Sequence, residues 1–387
     1  MNYAIIGSGR QGIASAYDFV KFGNAEKILM IDADEKRAEQ AAKRINELTG
    51  KNVCAYEQCD AADIPKIKSL LSDIDAAISG VPYFFNLALT EAAIETKTSL
   101  IDFGGNTPVV KQQLALNDQA RTNGVVIVPD CGMGPGLNIS MAEYVMSKFD
   151  EPEEIHVYDG GLPQNPKPPW NYELHFHVNG LTNEYYGDAL FLRDGKVTEV
   201  PCLTEIEKIA FEEPLGELEA AVTSGGLSTA PHSFEGKVKT FENKTLRYPG
   251  HWKQFQAYQL LGLFELEPVE LNGDKVVPRD LFHALLDPKI KNEEGKDVCV
   301  IRVVGNGKIN GVEKIFTINL LDKYDEETGF TAMQRLTGWH ASIMAILAAE
   351  GKIPYGAVSV ESAAAGKIII DEAKKRGLEF AERWEEI

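Results

Sequence analysis

Gly7, Gly9 and Gly12 stand in the run Gly7-Ser8-Gly9-Arg10-Gln11-Gly12, directly after the apolar residues Tyr3-Ala4-Ile5-Ile6 and before helix-forming sequence. That spacing suits a dinucleotide. Gly7 allows the tight bend off a strand, Gly9 lets the backbone approach a pyrophosphate, and Gly12 permits close packing of helix on strand. Ser8, Arg10 and Gln11 complete the turn, and the following helix aims its N-terminus at the phosphates. A second apolar run, Lys27-Ile28-Leu29-Met30-Ile31, ends in Asp32, 25 residues after Gly7. A carboxylate about 20 residues on bonds the adenosine ribose hydroxyls and repels a 2′-phosphate, which favours NAD over NADP. Lys36 and Arg37 follow closely and could pair with a 2′-phosphate, so NADP remains the alternative.

To act together, such residues must leave the same edge of one sheet. Strands near 3–6, 27–32, 52–56, 75–80, 99–103 and 124–129 alternate with helices near 11–22, 35–48, 63–72, 85–96 and 108–122. This rhythm predicts an α/β chain whose residues 1–130 form a doubly wound parallel sheet of the Rossmann type, with its ligand beyond the carboxyl ends of the strands. The residues leaving those ends are Asp60 and Ala61, then Gly80-Val81-Pro82, then Asp102 ahead of Gly104 and Gly105, and Asp130. Asp60, Ala61, Gly80, Val81 and Pro82 are assigned to the cofactor with the glycine turn and Asp32.

After residue 131 the rhythm changes. Pro163, Pro166, Pro168 and Pro169 predict a loop over 159–169. Period-two alternation predicts strands at 173–178, 189–192, 298–304 and 312–321, the last two flanking Gly305-Asn306-Gly307 as a hairpin. Residues 131–330 are read as a second, α+β domain of mixed or antiparallel sheet for substrate binding and oligomerisation. Residues 331–387 are read as a helical return to the first domain, because 335–350 has a broad apolar face to cover.

At 387 residues, two cores are expected. Against 39 basic residues stand 58 acidic ones, a formal charge of -19 that argues against nucleic acid and anionic membrane as partners. No apolar stretch approaches the roughly 20 residues of a membrane span, and a strand at residue 3 leaves no room for a leader, so a soluble cytoplasmic protein is expected. Five widely spaced cysteines without a CxxC pair support neither a disulfide framework nor a zinc knuckle.

Several of these turns resemble the saccharopine dehydrogenase and L-lysine 6-dehydrogenase family, over essentially the whole chain. Val81-Pro82-Tyr83-Phe84-Phe85-Asn86 with Ala92-Ala93-Ile94-Glu95 is similar to the family's fourth strand-turn-helix, and Ile101-Asp102-Phe103-Gly104-Gly105 to its fifth-strand turn. Asp130-Cys131-Gly132-Met133-Gly134-Pro135-Gly136 is similar to the domain crossover, where members usually carry Ala-Pro-Gly in place of Gly134-Pro135-Gly136. The stretches 223–229 (Thr-Ser-Gly-Gly-Leu-Ser-Thr) and 244–251 (Lys-Thr-Leu-Arg-Tyr-Pro-Gly-His) resemble two second-domain motifs. Length and these motifs look most like the lysine 6-dehydrogenase branch, which implies NAD-linked oxidation of a side-chain amine and a homodimer or higher homo-oligomer. A saccharopine or carboxynorspermidine type dehydrogenase, acting on a secondary amine, is the alternative. A non-catalytic nucleotide-sensing protein would keep the glycine turn without needing Asp102 or Arg247.

Amine oxidation needs an unprotonated nitrogen, hence a general base. Asp102 is the first candidate, with a turn-capping carboxylate as its other reading; Asp130 is the second. An amino-acid substrate brings a carboxylate, for which an arginine fork is the best partner. Arg247 is assigned as that anchor, or else as a structural ion pair. Tyr248 and His251 flank it as proton shuttles or orienting donors, or as packed aromatics. Glu173, His175 and His177 would share a strand face. No metal is expected there, because hydride chemistry on an amine needs no Lewis acid and two histidines with one carboxylate lack further ligands.

Overall fold

The computed structural model describes residues 1–174, 178–292 and 294–386. Its first part runs β1 (Asn2–Ile6), α1 (Arg10–Phe22), β2 (Lys27–Asp32), α2 (Glu35–Thr49), β3 (Cys54–Gln58), α3 (Ile64–Leu71) and β4 (Ala76–Ser79). It continues with α4 (Asn86–Thr96), β5 (Ser99–Asp102), α5 (Thr107–Leu114), α6 (Asn117–Asn123) and β6 (Val126–Val128). Every residue of β4, β5 and β6 is buried, as expected of parallel strands covered on both faces. The predicted helix 108–122 is two. Asn106 starts α5 by accepting a hydrogen bond from the Val109 amide, and Gly124 closes α6 in a left-handed conformation.

The second part runs α7 (Leu137–Met146), β7 (Glu151–Pro163), α8 (Val178–Glu184), β8 (Asp188–Arg193), β9 (Lys196–Pro201), β10 (Glu207–Ala210) and β11 (Glu217–Val222). Then come α9 (Ala230–Phe234), β12 (Thr240–Arg247), α10 (His251–Leu260), β13 (Val269–Leu271), β14 (Asp274–Val276), α11 (Pro278–Ile290), β15 (Asp297–Ile309) and β16 (Val312–Lys323). The chain ends with α12 (Ala332–Ala349), β17 (Gly356–Ala357), α13 (Val360–Ala363), α14 (Gly366–Lys375) and β18 (Phe380–Glu386).

The first sheet has the order β17-β6-β5-β4-β1-β2-β3, all parallel. Its order reverses at β1, between β4 and β2, so the glycine turn leaves the sheet at the switch point where a crevice opens. The second sheet runs β10-β11-β12-β7-β15-β16-β18, with β8 and β9 attached through β12. Among the described residues, only β12 and β7 pair in parallel there, which makes the sheet mixed.

Four sequence expectations are corrected. The loop over 159–169 begins later: β7 runs to Pro163, and a proline at a strand's last residue costs no interior ladder bond. The strand over 173–178 is absent where described, since Leu174 makes one isolated bridge to Lys291 and α8 starts at Val178. The long hairpin turns at Asn310-Gly311, with φ of 52° and 77°, the two positive values that a tight primed turn requires. Gly305 and Gly307 lie inside β15, where a Cβ on Gly305 would overlap Val145 and one on Gly307 would come 2.9 Å from the Phe149 ring.

The fourth concerns the C-terminal return, which is more than helical. β17 extends the first sheet beyond β6, and β18 extends the second beyond β16. Thr331 begins α12 with a reciprocal capping box to Gln334, and the Ser15 hydroxyl donates to the Gly338 carbonyl at 2.9 Å. A Cβ on Gly338 would stand 2.8 Å from the Gln11 carbonyl oxygen, so α12 lies directly against the first turn of α1. No helix among the described residues is long and apolar enough to cross a membrane. All five cysteines are free and buried.

Candidate active site

The glycine turn has the shape its spacing implies. Gly7 bends with φ +99°, and a Cβ on it would sit 2.8 Å from the Gly80 carbonyl. A Cβ on Gly12 would sit 2.6 Å from the Gly7 oxygen, so helix and strand meet there without room for a side chain. Gly9 differs, being exposed with open space around it. No side chain caps α1, which leaves the amides at its start available to phosphate. Ser8 is buried, its hydroxyl donating to the Ile31 carbonyl at 3.1 Å. Arg10 and Gln11 stand half-buried at the start of α1, and the Gln334 amide donates to the Arg10 carbonyl at 2.9 Å.

Asp32 accepts the Ser8 amide on Oδ2 and the Asp34 amide on Oδ1, each at 3.0 Å. Each oxygen keeps a lone pair for a ribose hydroxyl. Arg37 approaches Asp32 at 3.8 Å. Gly80 and Pro82 are exposed, with Val81 half-buried between them, and the Gly80 amide donates to the Ile6 carbonyl at 2.7 Å. These features fit a nicotinamide dinucleotide. Asp60 does not join them directly: its carboxylate accepts its own turn's Ala62 amide at 2.9 Å, and Ala61 packs into the core.

Asp102 takes the second of its two readings. Its Oδ1 accepts the Gly104 amide at 2.7 Å and the Asp130 amide at 3.2 Å, while Oδ2 accepts the Gln113 side-chain amide at 2.7 Å. At 1 % exposure, this carboxylate holds two turns together, with both oxygens taken by amides.

Asp130 sits at φ +63°, and its carboxylate accepts the Ser228 hydroxyl from the Thr223–Thr229 stretch. Burial and the neighbouring Asp102 charge push its pKa up to about 7. A Cβ on Gly104 would overlap that carboxylate.

Arg247 ends β12 and is buried, 3 % exposed. Its Nε donates to the Tyr185 hydroxyl at 2.9 Å, its Nη1 to the Leu246 carbonyl at 2.9 Å, and its Nη2 lies 3.8 Å from Glu184. The guanidinium stacks 4.9 Å from the Tyr172 ring centre. Burial pulls its pKa down and the surrounding Tyr185, Tyr172 and Glu184 raise it by more, so the charge is secure.

The two neighbours of Arg247 in sequence are corrected to packing roles. Strand alternation turns Tyr248 away, and its hydroxyl donates to the Pro163 carbonyl at 3.1 Å within a separate cluster. His251, 1 % exposed, stacks on Phe255 at 4.3 Å and shares a 3.0 Å hydrogen bond with Tyr185. Burial, reinforced by Arg247, holds its pKa well below the ordinary value, so it stays neutral and fixes Tyr185 rather than shuttling protons.

Two further carboxyls that the sequence reading passed over, Asp159 and Glu184, lie near enough to Arg247 to feel its charge. Asp159 on β7 accepts the Asn138 side-chain amide at 2.8 Å, and Asn243 lies beside it on β12. Burial pushes Asp159 up to about 6, and burial, opposed by Arg247, pushes half-buried Glu184 up to about 7. One signal was available: residues 243, 245 and 247 alternate onto one face of β12, and Thr245 pairs with Asp159 in register. His175 and His177 lie outside the described residues, and Glu173 accepts the Asn292 amide at 3.1 Å. Among the described residues, no group of three His, Cys, Asp or Glu side chains could hold a metal.

Residues 3–128 match the saccharopine dehydrogenase NADP binding domain, and residues 132–378 the saccharopine dehydrogenase C-terminal domain. The chain is 24 % identical to α-aminoadipic semialdehyde synthase of Rattus norvegicus over 273 residues, 68 % of this chain and 28 % of that protein. It is 23 % identical to carboxynorspermidine synthase of Vibrio cholerae over 350 residues, 83 % and 82 % of the two. The fold superposes on apo saccharopine dehydrogenase (L-Glu forming) from Saccharomyces cerevisiae with a TM-score of 0.80 and 18 % identity, covering 99 % of each chain. The chain therefore spans little more than a quarter of the rat protein but nearly all of the yeast one. With both domain models matched in order along almost its full length, the chain belongs to the saccharopine dehydrogenase family.

Proposed function

We propose that the chain is an NAD(P)-dependent oxidoreductase acting on a carbon–nitrogen single bond of an amino-acid amine, bound between the two sheets. The observation that carries this reading is the polar cluster at the end of β12: Asp159 and Glu184, both raised toward neutrality, lie near the Arg247 cation, and Asp130, likewise raised, is tied to Ser228 at the crossover between the two parts. Such carboxyls can exchange protons with an amine at ordinary pH, and Arg247 balances a substrate carboxylate. A dinucleotide held along residues 7–12 and Asp32 would supply the two-electron acceptor. The protein's own part is to anchor the carboxylate on Arg247, to exclude water with the aromatic wall of Tyr172 and Tyr185, and to keep the nitrogen unprotonated.

The favoured substrate is L-lysine, oxidised at its side-chain amine to an imine that water converts to the semialdehyde and ammonia. A second reading, a secondary amine carrying another acid arm, draws support from the likeness to carboxynorspermidine synthase along most of both chains. Product analysis separates them: ammonia release from lysine supports the first, and an amino acid or diamine released from a secondary amine supports the second.

NAD is the favoured cofactor. The Asp32 carboxylate would repel a 2′-phosphate, and Asp32→Ser would leave Arg37 free to attract one. The variant is expected to move the NAD-to-NADP ratio of kcat/KM toward NADP by roughly tenfold or more, about 1.4 kcal/mol. A wild type that already prefers NADP would overturn the choice of NAD.

A further inference from the structure

With Asp102 consumed by its turns and Asp130 tied to Ser228, the crevice contains one aspartate held by neutral amides alone. Asp159 Oδ2 accepts the Asn138 side-chain amide, which also donates to the Gly226 carbonyl at 3.0 Å and so fixes the loop above the carboxylate. Asn243 bonds it from the adjacent strand. Among the described residues, no guanidinium or ammonium forms an ion pair with Asp159; Arg247, whose charge it feels, bonds Tyr185 and lies 3.8 Å from Glu184. A carboxylate gripped by neutral donors can gain and lose a proton without breaking an ion pair.

Two glycines lie directly against Asp159 and its partner Asn243, where no side chain would fit. A Cβ on Gly134 would come 2.6 Å from Asp159 Oδ2 and 3.1 Å from Asn138 Nδ2, and one on Gly226 would overlap Asn243 Oδ1. Gly134 is itself exposed, so the carboxylate lies one backbone thickness from the open crevice. It is also the position where the resembled family usually carries alanine, whose methyl would collide with Asp159. An independent observation points to a ligand: Asn243, 1 % exposed, leaves its buried Oδ1 without a hydrogen-bond partner. A buried acceptor left empty costs about 1 to 3 kcal/mol, which a bound N–H donor would recover. An anionic oxygen and an orphaned carbonyl oxygen, on two side chains that bond each other, offer the acceptors an ammonium group needs.

We infer that Asp159, with Asn243 Oδ1 beside it, receives the substrate's amine and acts as its general base. This rests on the amine-oxidoreductase reading and supplies the base that reading requires. The ammonium N–H bond breaks, an O–H bond forms on Asp159, and the electron pair stays on nitrogen, ready to assist cleavage of the adjacent C–H bond. The proton then passes to water. The raised pKa of Asp159 suits this exchange; the charged groups facing it are Arg247 on β12, which lowers it, and Glu184 on α8.

Two variants and two readouts test the inference. Asp159→Asn is expected to lower kcat/KM for the best of L-lysine and L-saccharopine by about 10²- to 10⁴-fold, the usual range for a positioned base, with dinucleotide affinity unchanged. Gly134→Ala keeps the carboxylate but displaces it, and should lower kcat by roughly tenfold or more. The second readout needs no turnover. Wild-type affinity for the amine should weaken by about tenfold between pH 7 and pH 5 as Asp159 protonates, and the Asp159→Asn curve should lack that component. Near-normal kcat/KM in a folded Asp159→Asn protein, or identical pH curves for amine binding, would overturn the role of Asp159 and leave the wider reading standing. If neither amine drives cofactor reduction by the wild type, the wider reading fails, while the binding curves still decide whether Asp159 holds an amine.

Discussion

Arg247→Ala is expected to lower kcat/KM for an amino-acid substrate by roughly 30- to 5000-fold, the equivalent of about 2 to 5 kcal/mol for a buried charge pair that loses one partner. The effect should fall on substrate and spare the cofactor, because Arg247 ends β12 in the second sheet while the dinucleotide turn leaves β1 in the first. Arg247→Lys separates charge from shape. Lysine keeps the positive charge but loses the fork that donates at once to Tyr185 and the Leu246 carbonyl, so it should recover only part of the loss. Removing the cation also leaves Glu184 unopposed, but that carboxyl is half-buried and already raised to about 7, so it can neutralise by protonation and the fold should survive. Unchanged kcat/KM in Arg247→Ala would mark the residue as a structural ion pair only.

Arg376→Ala is expected to cost about 3 to 5 kcal/mol of stability, because it strands a fully buried carboxylate. Arg376 Nε and Nη2 reach Asp18 at 2.8 and 3.0 Å, both side chains are essentially without solvent exposure, and Ser342 donates to the same carboxylate at 2.6 Å. These residues tie α14 to α1 and α12, and so hold the C-terminal return against the nucleotide unit. Burial raises the pKa of Asp18 even beside Arg376. A raised folded pKa means that protonation favours the fold, and that this contribution is lost as pH rises through the folded value. The cost of Arg376→Ala should therefore be largest at neutral pH and shrink as pH falls and Asp18 takes up a proton. Denaturant midpoints at two pH values measure it, and Asp18→Asn combined with Arg376→Met should restore much of the loss. A variant as stable as wild type at neutral pH would contradict the account of this pair.

The first sheet was legible because β1, β2, β4, β5 and β6 are short, largely buried apolar runs ending in turn residues, the trace that parallel strands leave, while β3 at the edge is mostly exposed. Gly7, Gly12 and Asp32 could be placed from spacing alone, since each answers a local backbone demand. The second sheet was less legible. Gly305 and Gly307 looked like a turn, but their lack of side chains serves the packing of Val145 on α7 and Phe149 just after it, contacts from some 160 residues earlier in the chain. Asp102 and Asp159 make the same point about chemistry. Both are aspartates that open a turn or strand end before glycines, and nothing local separates the one spent on backbone amides from the one facing the crevice. What separates them is Gln113 in the first case and Asn138 with Asn243 in the second, partners brought in by tertiary packing. Arg247 could be chosen from its motif, yet its aromatic and acidic surroundings come from 172, 184 and 185, which no spacing rule ties to it.

The most direct measurement of the central claim is the reduction of NAD and of NADP by the purified full chain, followed as the appearance of reduced nicotinamide, with L-lysine, L-saccharopine and carboxynorspermidine offered in turn. The account predicts reduction that depends on one of these amines, is faster with NAD, and is lost in Arg247→Ala while that variant still binds NAD. Tight NAD binding by the wild type with no amine-dependent reduction of either cofactor would contradict it and favour a nucleotide-sensing protein.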